Sequence, residues 1–298
     1  MHATDRACPS CGSTRLRAFS ALASDMPAAT RVDLIECTAC VFAWQYPPAR
    51  DFSTSVTHSE GRYDNRADHA YYAPAQRRRV ALVELGFIET LVDPPGTLLD
   101  IGAGDGAFVR AAASRGWQAT GIDPAAPRDG GDDVELIRGT LDVLPAERRF
   151  DVVTLFDVIE HLERPADVLT AAWAHVRPGG MLVIETGNYQ SGERIAAGDG
   201  WWAYAFDHRW YFSPPAVERL LHDLGATDTQ LAPRVLRPDW TGGPTYRPWL
   251  GGHLRRTLAH PWTGVAELRA WRTLASAARR WPAWSNLEIF TLAARRPA

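Results

Sequence analysis

Through the middle of the chain, short apolar runs alternate between strand-like and helical spacing. Leu98, Leu99 and Ile101 form a short buried strand, Phe108 to Arg115 continues with helical spacing, and a second strand ends at Asp123. Gly102, Gly104 and Gly106 fall in the first turn, where they let the backbone turn tightly and approach a ligand. Strand, glycine turn, helix and strand in that order predict a doubly wound α/β sheet. A helical pattern from Ala75 to Val92 precedes it. Further on, Ser213, Pro214 and Pro215 read as a helix start, Val217, Leu220, Leu221 and Leu224 make its apolar face, and Gly225 ends it. Leu287 to Ala294 reads as a closing strand.

Composition narrows the class. The 298 residues are 46% hydrophobic and 22% charged with a formal net charge of -3, which fits one large domain or one domain with an appendage and gives no support for a nucleic-acid partner. Every basic side chain other than histidine is Arg, a coding bias of a GC-rich genome before it is a functional signal. No long apolar run suited to a membrane span is present, and the start MHATDRACPSCG lacks a signal peptide's apolar stretch, so the expected location is the cytoplasm, where thiols stay reduced.

That compartment bears on the four cysteines, which form two C-x-x-C pairs, Cys8 with Cys11 and Cys37 with Cys40, separated by 25 residues. Each turn lets two thiolates converge on one ion, Gly12 relaxes the first turn, and two such knuckles make a closed tetrahedral S4 site. Structural zinc is the expected occupant. The alternatives are two redox pairs or unrelated buried thiols, but a redox C-x-x-C needs no second copy nearby. Residues 1–45 are therefore read as a zinc ribbon, 46–75 as a linker through Pro47 and Pro48, and 76–298 as the main domain, with an Arg-, Trp- and Pro-rich insertion or cap expected over 233–284.

The glycine turn implies a nucleotide-like cofactor, and charge selects among them. Asp100 precedes the turn and Asp105 lies inside it, where a pyrophosphate would meet repulsion. A dinucleotide is disfavoured, whereas S-adenosylmethionine carries an ammonium, a sulfonium and no phosphate. Asp123, seventeen positions after Gly106, is placed to take both hydroxyls of a ribose.

From Leu98 to Gly225 the chain resembles the class I S-adenosylmethionine-dependent methyltransferases, with a Rossmann-like sheet. LLDIGAGDGAFV is similar to the family's first motif, GIDP to its second, FDVVTLFDVIEHL to the fourth strand and its turn, and RPGGMLVIET to the fifth strand. A lone glycine motif is weak; four in order are specific. The resemblance implies that Gly102, Ala103 and Gly104 line the methionine part of the cofactor, with Asp100 beside them, that Asp123 holds the ribose, that Thr140 and Leu141 border the adenine, and that Phe156 and Asp157 flank the methionine. A narrower resemblance is to zinc-ribbon-bearing bacterial methyltransferases, among them deoxysugar C-methyltransferases, in which a Glu-His pair lies at the substrate with His as base and a Tyr nearby. Here Asp207 and His208 stand in that place, and Ala205 takes the expected Tyr position beside Tyr204.

Seven of the thirteen residues from Trp201 to Ser213 are aromatic, in a loop expected between the fifth strand and the following helix. One reading is a core that happens to contain a histidine. The other is a substrate pocket walled by Trp201, Trp202, Tyr204, Trp210 and Tyr211, in which His208 is the base and Asp207 orients it; an unperturbed imidazole, with pKa about 6.5, is able to accept a proton near neutrality. His161 is the second candidate base. Asp157, Glu160 and His161 share one face if their turn is helical, and some quinone-precursor O-methyltransferases carry a similar cluster linked to a divalent metal; the plainer alternative is a packed turn at the cofactor's edge. An amphipathic helix near Val265 to Arg280 would suit a membrane surface, an anionic substrate or simply solvent.

Together these features predict a methyltransferase using S-adenosylmethionine, with structural zinc, acting on a small hydroxylated molecule such as a sugar, nucleotide sugar or natural-product intermediate. O-methylation is the first expectation and C-methylation of a keto sugar the second. An RNA-modifying enzyme, which the acidic balance opposes, and a non-catalytic cofactor-binding scaffold are the alternatives.

Overall fold

The computed structural model of the protein describes residues 5–24, 30–48, 74–127, 134–233 and 287–298. The linker and the insertion, including the helix expected near Val265 to Arg280, lie almost wholly outside the described residues.

The apolar runs become the middle of a seven-stranded sheet. Its strands are β4 (Thr97–Ile101), β5 (Gln118–Asp123), β6 (Glu135–Arg138), β7 (Phe150–Phe156), β8 (Val176–Gly187), β10 (Asp228–Leu231) and β11 (Ile289–Arg295), in the order β10-β11-β8-β7-β4-β5-β6. The five strands from β6 to β8 run parallel, while β11 is antiparallel to both β8 and β10. Chain order reverses at β4, so the glycine turn leaves the sheet at its switch point, where such folds bind ligands.

Alternation along the strands divides the core. Leu98, Val152 and Val183 face α1 (Pro74–Ile88) and α2 (Ala107–Ala113), whose Leu85, Ile88, Phe108 and Val109 cover that side. Their neighbours Leu99, Val153 and Leu182 face the opposite side, covered by α3 (Pro165–His175) and α4 (Pro214–Asp223) through Leu169, Trp173, Val217 and Leu221. Burial on both faces is why β7 is almost continuously apolar and not alternating.

The N-terminal segment forms a second sheet of β1 (Leu16–Leu22), β2 (Arg31–Cys37) and β3 (Phe42–Gln45), extended by β9 (Trp210–Tyr211). β9 lies within the stretch expected to be loop. Its partner is β3, with Ala43 opposite Tyr211 and Trp44 opposite Trp210, so no local pattern announces it. One face of this sheet, with Ile35, Phe42, Trp44 and Trp210, is continuous with the main core. The other, with Val32, Leu34, Ala43 and Tyr211, is covered by Tyr189, Trp201, Ala203 and Tyr204.

Two boundaries also differ from expectation. The first helix stops at Ile88 instead of Val92, and the Pro-Gly-Gly turn lies inside the long strand β8 instead of before it. The sheet absorbs that turn through a register shift between Phe150 and Val152. At Gly180 a side chain would meet the Asp151 carbonyl oxygen at 2.8 Å, so the close approach of β7 requires glycine.

Candidate functional site

The four cysteines converge. Cys8 and Cys40 sulfurs are 3.6 Å apart, Cys11 and Cys37 sulfurs 3.7 Å, and all four lie within 4.8 Å of one another. A tetrahedral zinc with bonds to sulfur of about 2.3 Å spaces its ligands by about 3.8 Å. Each knuckle closes with a backbone bond from the residue after its second cysteine to the first, Gly12 to Cys8 and Val41 to Cys37, both 2.8 Å. Both residues adopt left-handed φ, +72° at Gly12 and +54° at Val41. Glycine does so freely; a β-branched valine does so under constraint.

At the switch point, Gly102, Gly104 and Gly106 all have positive φ. A Cβ added at Gly104 would meet nothing within 4 Å, whereas at Gly102 it would strike Val158 at 2.4 Å and at Gly106 it would strike Leu136 at 2.7 Å. The first and third glycines thus serve packing, and the middle one leaves an open cradle. Asp123, at the end of β5, accepts from the Gly104 amide at 3.0 Å and the Ala125 amide at 2.6 Å, which brings the carboxylate to the edge of that cradle. Thr140 and Leu141 follow β6, and Phe156 ends β7 with its ring 4.9 Å from that of Phe108. Asp100 lies beneath the turn, buried and accepting from Thr154 at 2.7 Å; burial pushes its carboxyl up to about 7. Asp105 is not an isolated charge, because Arg77 of α1 pairs with it at 2.5 Å. Sequence reasoning missed Arg77, whose partner lies 28 residues away and is set by the docking of α1 on α2.

After β7 the chain makes a turn, not a helix. Asp157 takes φ +52°, an unusual value for a non-glycine residue, with its amide donating to Glu185 at 3.0 Å. This separates it from the potential ligand set, which comprises Glu160, His161 and His208 with ligand atoms within 4.8 Å. The His161 and His208 rings meet edge to face with centroids 4.7 Å apart. Each has its Nδ1 against a backbone carbonyl, Asp207 at 3.1 Å for His161 and Ala203 at 2.8 Å for His208. For neutral rings that geometry puts the proton on Nδ1 and the lone pair on Nε2. Burial, reinforced by His161, pushes His208 down to about 4. Burial also opposes charge on His161, but the carboxylates of Asp207, Glu160 and Asp157 outweigh it and raise that imidazole. Glu160, buried, is pushed up to about 7, and its Oε2 has no hydrogen-bond partner among the described residues.

The aromatic residues divide. Trp201, Tyr204, Trp210 and Tyr211 are no more than 2% exposed and form the packed contact between the ribbon sheet and the main sheet. Trp202 is half-buried, with its indole nitrogen donating to Glu193 at 3.1 Å. Asp207 is nearer His161 than expected, its carboxylate 3.7 Å from that Nδ1. The whole stretch docks on the turn after β7, since the Arg209 and Trp210 amides donate to the Glu160 carbonyl at 2.8 and 3.2 Å. His208 consequently sits at the carboxyl end of the sheet.

A family model described as "Methyltransferase domain" matches residues 72–231, more than half of the chain. The chain belongs to this family. It carries a methyltransferase domain preceded by four clustered N-terminal cysteines. Over 102 residues it is 37% identical to the ubiquinone biosynthesis O-methyltransferase of Pseudomonas entomophila (strain L48), a match covering 30% of this methyltransferase and 44% of the relative, so it spans less than half of that curated protein. Two solved structures share the fold. One is 1,6-didemethyltoxoflavin-N1-methyltransferase from Burkholderia thailandensis, with 1,6-didemethyltoxoflavin and S-adenosylhomocysteine bound (17% identity, TM-score 0.50, covering 86% of this chain and 96% of that one). The other comes from the complex of a Haloferax volcanii methyltransferase with the Trm112 activator (16% identity, TM-score 0.51, covering 84% and 100%). Among the described residues no helix is long and apolar enough to cross a membrane.

The cradle at Gly104 fits the cofactor of this family: it is open, left-handed and flanked by the Asp123 carboxylate.

Proposed function

We propose that this methyltransferase transfers a methyl group to a hydroxyl of a small molecule, a sugar, nucleotide sugar or natural-product intermediate, with His208 as the general base. The observation that carries this reading is the His208 ring itself: it is held at Nδ1 by the Ala203 carbonyl and kept neutral by burial, so its Nε2 lone pair is available at the carboxyl end of the sheet. Gly102, Ala103 and Gly104 would hold the methionine part of S-adenosylmethionine, Asp123 the ribose, Thr140 and Leu141 the adenine edge, and Phe156 and Asp157 the methionine flank. The bound cofactor supplies an electrophilic methyl on a sulfonium. The protein's part is to place the acceptor oxygen in line with it, where orientation contributes about 7 to 11 kcal/mol, while His208 takes the acceptor proton at Nε2. The aromatic stretch excludes water behind that base, with Trp202 its less buried member. The same base beside a keto group would serve C-methylation. The ribbon cysteines Cys8, Cys11, Cys37 and Cys40 would hold one structural zinc, and the chain would work in the cytoplasm.

The test is methyl transfer from labelled S-adenosylmethionine to a panel of hydroxylated sugars, nucleotide sugars and phenols, with the product's new carbon assigned by NMR. An O-methyl resonance is expected. Transfer to RNA alone, or cofactor binding with no transfer to any acceptor, would overturn the proposal.

A second reading is favoured by the bare Oε2 of Glu160. With His161 and His208 it makes a two-histidine, one-carboxylate set that suits a divalent cation, and both rings are held at Nδ1 by backbone carbonyls as ligating histidines usually are. Such an ion would lower the pKa of an acceptor hydroxyl. Binding of Mn2+ followed by electron paramagnetic resonance, lost in Glu160→Gln, would favour it over a free base.

A further inference from the structure

The turn that carries His208 has little regular structure of its own, and one residue of the ribbon grips it twice. Gln45, the last residue of β3, donates its main-chain amide to the Arg209 carbonyl at 2.8 Å and its side-chain Nε2 to the Phe206 carbonyl at 3.2 Å. Those two carbonyls bracket Asp207 and His208. From the opposite side, the Arg209 and Trp210 amides are bound to the Glu160 carbonyl. The turn is therefore clamped between β3 and the segment after β7.

The two bonds from Gln45 differ in kind. Any residue but proline supplies the main-chain amide, but the second bond needs a donor on a side chain of this length. Gln45 is only 4% exposed, beside Trp44 and Ala43, which are wholly buried. An amide buried there costs free energy unless it is bonded, and the Phe206 carbonyl answers it. We infer that Gln45 is a positioning residue for His208: its side-chain amide fixes the turn 206–209 so that the imidazole keeps Nδ1 on the Ala203 carbonyl and Nε2 towards the site. Since Gln45 lies five residues after Cys40, the zinc knuckle and the base would be connected through one short strand. The consequence for turnover rests on His208 being the base; the geometric claim does not.

The test uses the full-length, zinc-loaded protein labelled with 15N-histidine, read by long-range proton-nitrogen correlation of the imidazoles. The His208 signals are assigned by their loss in His208→Gln. Expected for the wild type is a fixed tautomer with Nδ1 protonated. Gln45→Met keeps the volume and removes the donor; it is expected to move both His208 nitrogens towards tautomer-averaged shifts. Affinity for S-adenosylhomocysteine should stay within about twofold, as for a distant independent site, with zinc retained. Gln45→Asn, too short to reach Phe206, should give the same signature if the methionine variant does not fold. On an accepted substrate kcat should fall roughly tenfold, because small misplacements near a reacting group cost up to about 10²-fold, with KM for S-adenosylmethionine unchanged. Wild-type His208 signals in either folded variant would overturn the inference. Normal turnover by His208→Ala would instead remove the base and leave the effect of Gln45 on the ring standing.

Discussion

Asp100 is buried and His208 half-buried, and desolvation drives both to their neutral forms, the imidazole by lowering its pKa and the carboxyl by raising it. For His208 this differs from the near-neutral titration that an unperturbed histidine predicts, and it leaves the ring neutral at pH 7. Losing a general base commonly costs about 10²- to 10⁴-fold, so His208→Ala should lower kcat by that order with S-adenosylhomocysteine affinity unchanged by calorimetry; a variant that fails to fold would favour a core role. For Asp100 the effect is on stability. Its folded pKa of about 7 exceeds the unfolded value of about 3.9, so its stabilising contribution is complete below about pH 4 and is lost as pH rises through 7. Asp100→Asn, which keeps an acceptor for Thr154, removes that loss. Thermal melting of the cofactor-free protein should show the variant close to wild type near pH 4 and more stable at pH 8 by a few kcal/mol, the linkage expected for a shift of this size. Equal stability at pH 8 would mean that Asp100 is not the buried acid.

Elements position these residues by different means. The glycine turn between β4 and α2 was legible from sequence because it is local: three glycines, a strand before and a helix after. Gly104→Val would force a β-branched residue to φ +54° and fill the cradle. Asp123→Ala would remove the carboxylate that meets the Gly104 amide. Both should weaken S-adenosylmethionine binding in a titration, and unchanged affinity in both would place the cofactor elsewhere. The ribbon knuckles were legible for the same reason, two C-x-x-C turns each closing on themselves. About one zinc per chain is expected from metal analysis of reduced, freshly purified protein, as for a closed S4 site; protein without zinc would return the thiols to an unmetallated cluster. β9 was not legible. Two residues of strand acquire that state from a partner more than 160 positions earlier.

At the scale of the whole molecule the ribbon is not an appendage. Its sheet contributes to the main core through Phe42 and Trp44, receives β9, and is covered on its far face by Trp201 and Tyr204. A chain beginning at residue 46 would expose both surfaces. It should melt at lower temperature and expose apolar surface to a hydrophobic dye; an unchanged melting temperature would mean that the two sheets are independent. The sequence alone was enough for the α/β class, the succession of strand, glycine turn, helix and strand, and the two C-x-x-C turns, because each depends on neighbours within about a dozen residues, where spacing and backbone geometry decide the outcome. Tertiary structure alone decided the rest: that Arg77 answers Asp105, that His208 and not Asp157 completes the set with Glu160 and His161, that five of the seven aromatics are buried in packing, and that Gln45 reaches the turn of His208. The physical reason is shared. Side-chain chemistry is written in the sequence, but which groups meet depends on how sheets and helices pack across long separations, and burial, which set the charge of His208 and Asp100, exists only once they have packed.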